Sequence, residues 1–250
     1  MTPITRRHLL SDLSGAAVTS ALLAPQEQAS SPVDHPLRIL VIGAHPGDPE
    51  AGCGGTIARY TKLGHQVTAL YLTRGEAGVS GASAQQAAAT RTAEAEEACK
   101  ILGAKAAFAG QIDGATEVNA ARSAELTRHI AELDPEVVFT QWPVDMHADH
   151  RACASLTIAA WLALKRKFAL YYYEVDLGSD TQCFSPAHYV DVTATELLKR
   201  QACMCHRSQN PQGFYNRDHV PMMRFRGMES GFQFAEAFIH HAGSPLGKLP

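Results

Sequence analysis

Two short polar clusters carry the chemistry of this chain. The first is Ala44-His45-Pro46-Gly47-Asp48-Pro49-Glu50, and the second, about a hundred residues on, is His147-Ala148-Asp149-His150. Imidazoles and carboxylates are the donors that hold a divalent cation, and a catalytic zinc site uses three protein ligands with an open position for water. Each cluster follows an apolar run, 37–43 before the first and 137–140 before the second. In an open α/β sheet, ligands gather beyond the carboxyl ends of the strands. Two such segments converging on one crevice would offer two imidazoles and a carboxylate to one metal. The chemistry this points to is metal-assisted hydrolysis.

Such clusters need a frame, and from Pro36 onwards strand and helix patterns alternate. Runs 37–43, 66–72, 106–109, 137–140, 169–175 and 188–192 read as strands. The first has no polar alternation, as expected of a strand covered on both faces. Segments 56–63, 84–102, 120–133, 152–164 and 197–206 read as helices, and 229–238 is read as one more. Gly64 and Gly103 stop the first two, while Leu126, Ile130 and Leu133 recur at helical spacing in the third. Segment 208–227 holds little periodicity and reads as a loop near the crevice mouth. The alternation predicts a three-layer α/β sandwich on a mostly parallel sheet. Dinucleotide binding fails on spacing: G-x-G-x-x-G is absent, and Gly52-Cys53-Gly54-Gly55 comes nine residues after Gly43. Those glycines read instead as letting a helix start approach the metal loop closely.

At 250 residues and 46% hydrophobic, the chain can bury one full core. A net charge of -3 with scattered basic residues excludes a nucleic-acid footprint. No apolar run reaches the roughly 18 residues of a spanning helix. At the amino terminus, Thr5-Arg6-Arg7-His8-Leu9-Leu10, an apolar stretch over 13–24 and a polar segment over 25–32 resemble a twin-arginine export signal. The expected organisation is therefore a leader and linker over 1–32, cleaved after Ala24 or Ala29, and a single domain over 33–250. The twin-arginine route would deliver the protein, already folded, to the periplasm or another extracytoplasmic space. No cysteine follows the leader closely enough for a lipid anchor. Cysteines 53, 99, 153, 183, 203 and 205 lack zinc-ribbon spacing, and no disulfide framework is expected.

The opening cluster, followed by Gly52-Cys53-Gly54-Gly55-Thr56, resembles the signature of the LmbE-like, or PIG-L, de-N-acetylases. Thr73-Arg74-Gly75-Glu76-Ala77-Gly78 is similar to their second loop, Arg91 and Glu94 through Leu102-Gly103 to their next helix, and His147-Ala148-Asp149-His150 to their histidine motif. The resemblance runs from about residue 37 to 152. It implies a Rossmann-like sandwich and a zinc-dependent hydrolase that removes acyl groups, usually acetyl, from amino sugars. Carried over, the metal ligands are His45, Asp48 and His150, and Fe2+ would suit the same donors. The implied partner is a small N-acetylated sugar or glycoconjugate. Neither the exact substrate nor a homo-oligomer is specified.

One position departs from the family pattern. The first of two adjacent aspartates, taken as the general base, is here Gly47. Another carboxylate would have to reach the water, Asp145 and Glu50 being nearest in sequence. Alternatively the metal alone lowers the water's pKa to about 7, or the protein binds metal and sugar with weakened catalysis. General acid–base help is worth ~100- to 10,000-fold, so its loss would cripple hydrolysis without abolishing it. Among the remaining residues, His147 is assigned to stabilising the oxyanion and protonating the amine. Asp149 is expected to orient a histidine or cap a helix, and Arg74 to hold substrate hydroxyls or a phosphate. Glu76 and Arg91 read as loop braces. His206, His219, His240 and His241 have no ligand spacing and read as structural or exposed.

Overall fold

The computed structural model describes residues 35–176 and 179–250; the twin-arginine segment and its linker lie outside them. Strand β1 (Arg38–Gly43) is buried from Ile39 onwards. Successive side chains of a strand point to opposite faces, and β1 shows what that implies here. Ile39 and Val41 pack in one core with Ile57 and Tyr60, while Leu40 and Ile42 pack in another with Leu126, Ile130 and Leu156. Both faces are covered, which is why the run carries no polar alternation.

The other elements are α1 (Asp48–Lys62), β2 (Gln66–Tyr71), α2 (Ala84–Leu102), β3 (Lys105–Phe108), α3 (Ala120–Leu133), β4 (Val137–Gln141), α4 (Ala148–Ala163), β5 (Ala169–Tyr173), β6 (His188–Asp191), α5 (Glu196–Cys203), α6 (Pro211–Phe214), α7 (Val220–Ser230) and β7 (Ala235–His240). The sheet runs β3-β2-β1-β4-β5-β7-β6. Strands β1 to β5 are parallel; β7 is antiparallel to both β5 and β6. Helices α1, α2 and α5 pack together on one face, and α3 packs on α4 on the other. This is the three-layer, mostly parallel sandwich expected from the sequence. The chain steps outward through β2 and β3, then returns to place β4 beside β1. The strand order reverses at that point, and in open α/β sheets that is where the crevice lies.

Three local expectations need correction. Helix α1 begins at Asp48, not near Thr56, so the glycine cluster sits inside it. Those glycines serve packing within the layer: a Cβ on Gly55 would meet the side chain of Val192 at 2.6 Å. Helix α4 likewise begins at Ala148 rather than 152. The third concerns the region beyond α5. The segment read as loop is largely helical, with a 3-10 turn (Arg207–Gln209), α6, a π-turn (Tyr215–His219) and α7. Pro221 follows directly on the π-turn, in the first turn of α7. Gly231, at φ 81°, ends the helix, so the helix read over 229–238 does not form. Residues 235–240 become β7 instead. Glu236, a helix former in isolation, is buried there and accepts from Lys199 Nζ at 2.6 Å and from the amides of Gly55 and Thr56. No helix among the described residues is long and apolar enough to cross a membrane.

Candidate metal centre

Three donor atoms meet beyond the ends of β1 and β4. After Gly43 the chain turns through His45 and enters α1 at Asp48. His45 Nδ1 lies 3.3 Å from Asp48 Oδ2, and His150 Nε2, on the first turn of α4, lies 3.5 Å from that same oxygen. In a tetrahedral site with ordinary Zn–N and Zn–O bonds, neighbouring ligand atoms stand about 3.4 Å apart. The two separations to Asp48 Oδ2 are of that size, and among the described residues His45, His147 and His150, or His45, Asp113 and Asp149, bring donor atoms within 4.8 Å of one another. The cluster opens on a cleft lined by Arg91, Asp113, His147, Asp176 and Phe214.

Each donor is held from behind. Asp48 Oδ2 accepts from the His45 amide at 2.7 Å and from Gln141 Nε2 at 3.1 Å, and Gln141 Oε1 accepts from the Ala44 amide at 2.9 Å. His45 Nε2 faces Asp149 Oδ2 at 3.1 Å and Asp113 Oδ1 at 3.2 Å. Asp149 is itself fixed by Thr116 Oγ1 at 2.6 Å and the Gly114 amide at 2.8 Å. His150 Nδ1 meets Asp145 Oδ1 at 3.1 Å. A carboxylate behind a ligating imidazole fixes its ring and tautomer and raises its basicity.

The electrostatics follow. Burial alone would lower the His45 pKa, but Asp48, then Asp113 and Asp149, hold it well above its ordinary value. His150 is likewise raised against burial, by Asp48 and Asp145. Burial would raise Asp48, yet His150 and His45 hold its carboxyl far below the usual range. Asp149 is lowered too, burial being outweighed by hydrogen bonds from His45, Thr116 and Gly114. Protons and a divalent cation thus compete for the same atoms.

His147 differs. It is exposed at the N-cap of α4, its ring stacked on that of His150 at 4.7 Å and edge-on to His45 at 4.7 Å. Burial, then His45 and His150, lower its pKa. Its Nδ1 accepts from the Asp149 amide at 3.2 Å, so the neutral ring carries its proton on Nε2 and can donate from there.

The remaining expectations fare less evenly. Arg74 is not in the cleft. Its guanidinium donates to Thr92 Oγ1 at 2.9 Å and lies over the Phe108 ring at 4.2 Å, beside Ala88, Ala89 and Glu96 on the outer side of α2. Arg91 occupies the cleft wall instead, donating to the Pro46 carbonyl at 2.7 Å and packing tightly on Gly75 and Gly78. Asp145, a candidate base, stands behind His150 with Oδ1 engaged by His150 and the His147 amide and Oδ2 by Thr181 Oγ1. Glu50 is also occupied: Oε1 accepts from Tyr71 OH at 2.7 Å and Oε2 from the Gly47 amide at 3.2 Å. Neither carboxylate is placed to serve as the missing base.

Asp113 and Gln141 join the site without having been singled out, and His206, read as structural or exposed, is buried against Gly47. Asp113 follows β3 and Gln141 closes β4, so strand-end position was a usable signal for both. His206 gives no local signal; it arrives on the turn after α5, against Gly47.

The family model for PIG-L, GlcNAc-PI de-N-acetylase, matches residues 40–161. A diacetylchitobiose deacetylase of Thermococcus kodakarensis is 29% identical over 237 residues, covering 87% of this chain and 88% of that protein. The structure of an N,N'-diacetylchitobiose deacetylase from Pyrococcus horikoshii, complexed with its inhibitor, superimposes with a TM-score of 0.73 at 25% identity, covering 82% of this chain and 84% of that one. The conserved protein TT1542 from Thermus thermophilus superimposes with a TM-score of 0.71 at 31% identity, covering 86% and 97%.

Proposed function

Since the chain belongs to the PIG-L family, we propose that it is a metal-dependent hydrolase removing the N-acetyl group of an amino sugar or glycoconjugate. The observation that carries this is the meeting of His45 Nδ1, Asp48 Oδ2 and His150 Nε2 at the mouth of the cleft. The two chitobiose deacetylases above, similar along most of the chain, support the amide substrate. Zn2+ suits the nitrogen and oxygen donors best, and Fe2+ would be held by the same atoms.

A cation held there supplies Lewis-acid polarisation of the amide carbonyl and lowers the pKa of water. The chain's own residues do the rest. Asp113 and Asp149 hold His45, Asp145 holds His150, and Gln141 holds Asp48, so each donor is oriented from behind. His147 Nε2–H, at the exposed side, donates to the carbonyl oxygen as that oxygen gains charge. A donor in such a position is commonly worth about 100- to 1,000-fold in kcat. Phe214 lines the same wall, with the Arg217 guanidinium 4.9 Å from its ring centre.

We further propose, on the strength of the Arg6-Arg7 leader alone, that the enzyme is exported. A second reading rests on Gly47: the site would bind metal and sugar with catalysis much reduced. Metal content and acetate release from a panel of N-acetylated amino sugars decide between them, with His150→Ala as the comparison. The hydrolase reading expects about one metal per chain and acetate release, both lost in His150→Ala. Bound metal with sugar binding but no acetate supports the second reading, and no bound metal refutes both.

A further inference from the structure

We propose that His206 is a catalytic residue of this reaction, accepting the proton of the attacking water in place of a side chain at residue 47; this rests on the hydrolase reading above. Gly47 is more than a missing carboxylate. Its φ is 111°, a conformation L side chains rarely adopt, so the backbone itself is arranged for glycine. The nearest atoms to an ideal Cβ there all belong to the His206 ring: Cγ and Cδ2 at 3.8 Å and Nδ1 at 3.9 Å. The imidazole thus lies beside the space a side chain at 47 would enter, and it lines one cavity with Gly47, Asp48 and Arg91.

The ring is also unusually free of partners for its depth. His206 is 4% exposed, and neither nitrogen makes a hydrogen bond within the protein. Buried polar atoms are nearly always paired, so two orphaned nitrogens on one ring call for a reason. Glu50 Oε1 lies 3.2 Å from Nε2, off the line of a hydrogen bond yet close enough to favour a proton there. That tautomer leaves the lone pair on Nδ1. The placement is rigid. Ser208 donates from its amide and its hydroxyl to Glu94 at 2.8 and 2.7 Å, and the Gln209 amide donates to the His206 carbonyl at 2.9 Å, tying the turn to α2.

The step balances without any further reagent. Water oxygen forms a bond to the amide carbon as one of its protons passes to His206 Nδ1. On collapse, the C–N electron pair goes to nitrogen, which takes that proton back from the imidazolium. One water is consumed, amine and acetic acid leave, the acid loses its proton to solvent, and the imidazole is neutral again.

His206→Gln keeps size and polarity without basicity, and His206→Gly opens a space for an exogenous base. In metal-loaded protein we expect His206→Gln to lower kcat by about 100-fold or more, with KM within about threefold. Metal content and melting temperature should match wild type. Free imidazole should restore turnover to His206→Gly, which a merely structural histidine would not allow. In 15N-histidine spectra, the His206 Nδ1 resonance, identified by its absence in His206→Gln, should shift when acetate is added to the metal-loaded protein. Wild-type kcat in His206→Gln, or a loss in kcat that imidazole does not rescue, overturns the assignment of His206 and leaves the hydrolase reading standing. A wild type that holds metal but releases no acetate overturns both.

Discussion

Replacing Asp149 by asparagine tests whether the carboxylates behind the imidazoles set metal affinity. Asp149 accepts from Thr116 Oγ1 at 2.6 Å and the Gly114 amide at 2.8 Å, and stands 3.1 Å from His45 Nε2. Asparagine keeps one acceptor oxygen and turns the other into a donor. Facing Gly114 and His45, that donor meets two N–H groups; facing Thr116, it meets a hydroxyl that can turn to accept. The second arrangement is the cheaper one, and it preserves geometry while removing the charge behind His45. Partners of this kind are typically worth 10- to 100-fold in metal affinity, or about 1.4 to 2.7 kcal/mol. Asp113 Oδ1 stands 3.2 Å from the same nitrogen and supplies a second carboxylate. The single variant should therefore fall near the tenfold end. Asp113→Asn combined with Asp149→Asn should lose more than the sum of the two singles, because each covers for the other. Competition against a chromogenic chelator measures the affinity, with melting temperature as the control for folding. A folded double variant whose metal affinity stays within about twofold of wild type refutes the reasoning, since it lies below the lower bound for one such partner.

Four further outcomes follow. Because the His45 and His150 pKa values are raised, metal binding should release protons and weaken as pH falls; calorimetric enthalpies that do not vary with the buffer's ionisation enthalpy would contradict this. By the same sign, a histidine with a raised folded pKa stabilises fully below its unfolded value and loses that contribution as pH climbs through the folded one. Chelator-treated protein should therefore give up stability as pH rises above about 6.5, seen as a falling urea midpoint. Glu236→Ala leaves Lys199 buried without its partner and should cost about 3–5 kcal/mol in urea unfolding, with a loss below about 1 kcal/mol arguing against it. Arg74→Ala should leave KM within about twofold, and a tenfold rise would return Arg74 to the substrate site.

The legible parts of this protein are those written locally. β1 and β4 are apolar runs ending in polar clusters, so both the strands and the His- and Asp-bearing turns that follow them could be read from the same few residues. The start of α1 was not legible, because three glycines look like a loop until Tyr173, Lys199 and Val192 are seen pressing on them. Arg74 and Arg91 could not be told apart by sequence: Arg91 enters the cleft from the inward face of α2, while Arg74, in the segment after β2, turns outward onto Phe108 and Thr92. β7 was hidden because Ala235-Glu236-Ala237 has helical propensity, overridden by strand pairing on both sides and by the buried Lys199. His206 lies more than 150 residues from Gly47 and shares no motif with it. Only the packing of α5 against α1 and α2 brings them together.

The place of β7 in the sheet also sets an order of events. It lies between β5 and β6, and among the described residues β6 pairs with nothing else. Until Ala235–His240 has left the ribosome, β6 has no neighbour to join. The outer edge of β5, with Tyr171, Tyr172 and Tyr173 along it, is then an open row of backbone donors and acceptors. Such edges recruit other chains. The final 16 residues, from Ala235 to Pro250, are thus a seal on a sticky edge, and a chain truncated before them is expected to aggregate even though His45, Asp48 and His150 lie upstream.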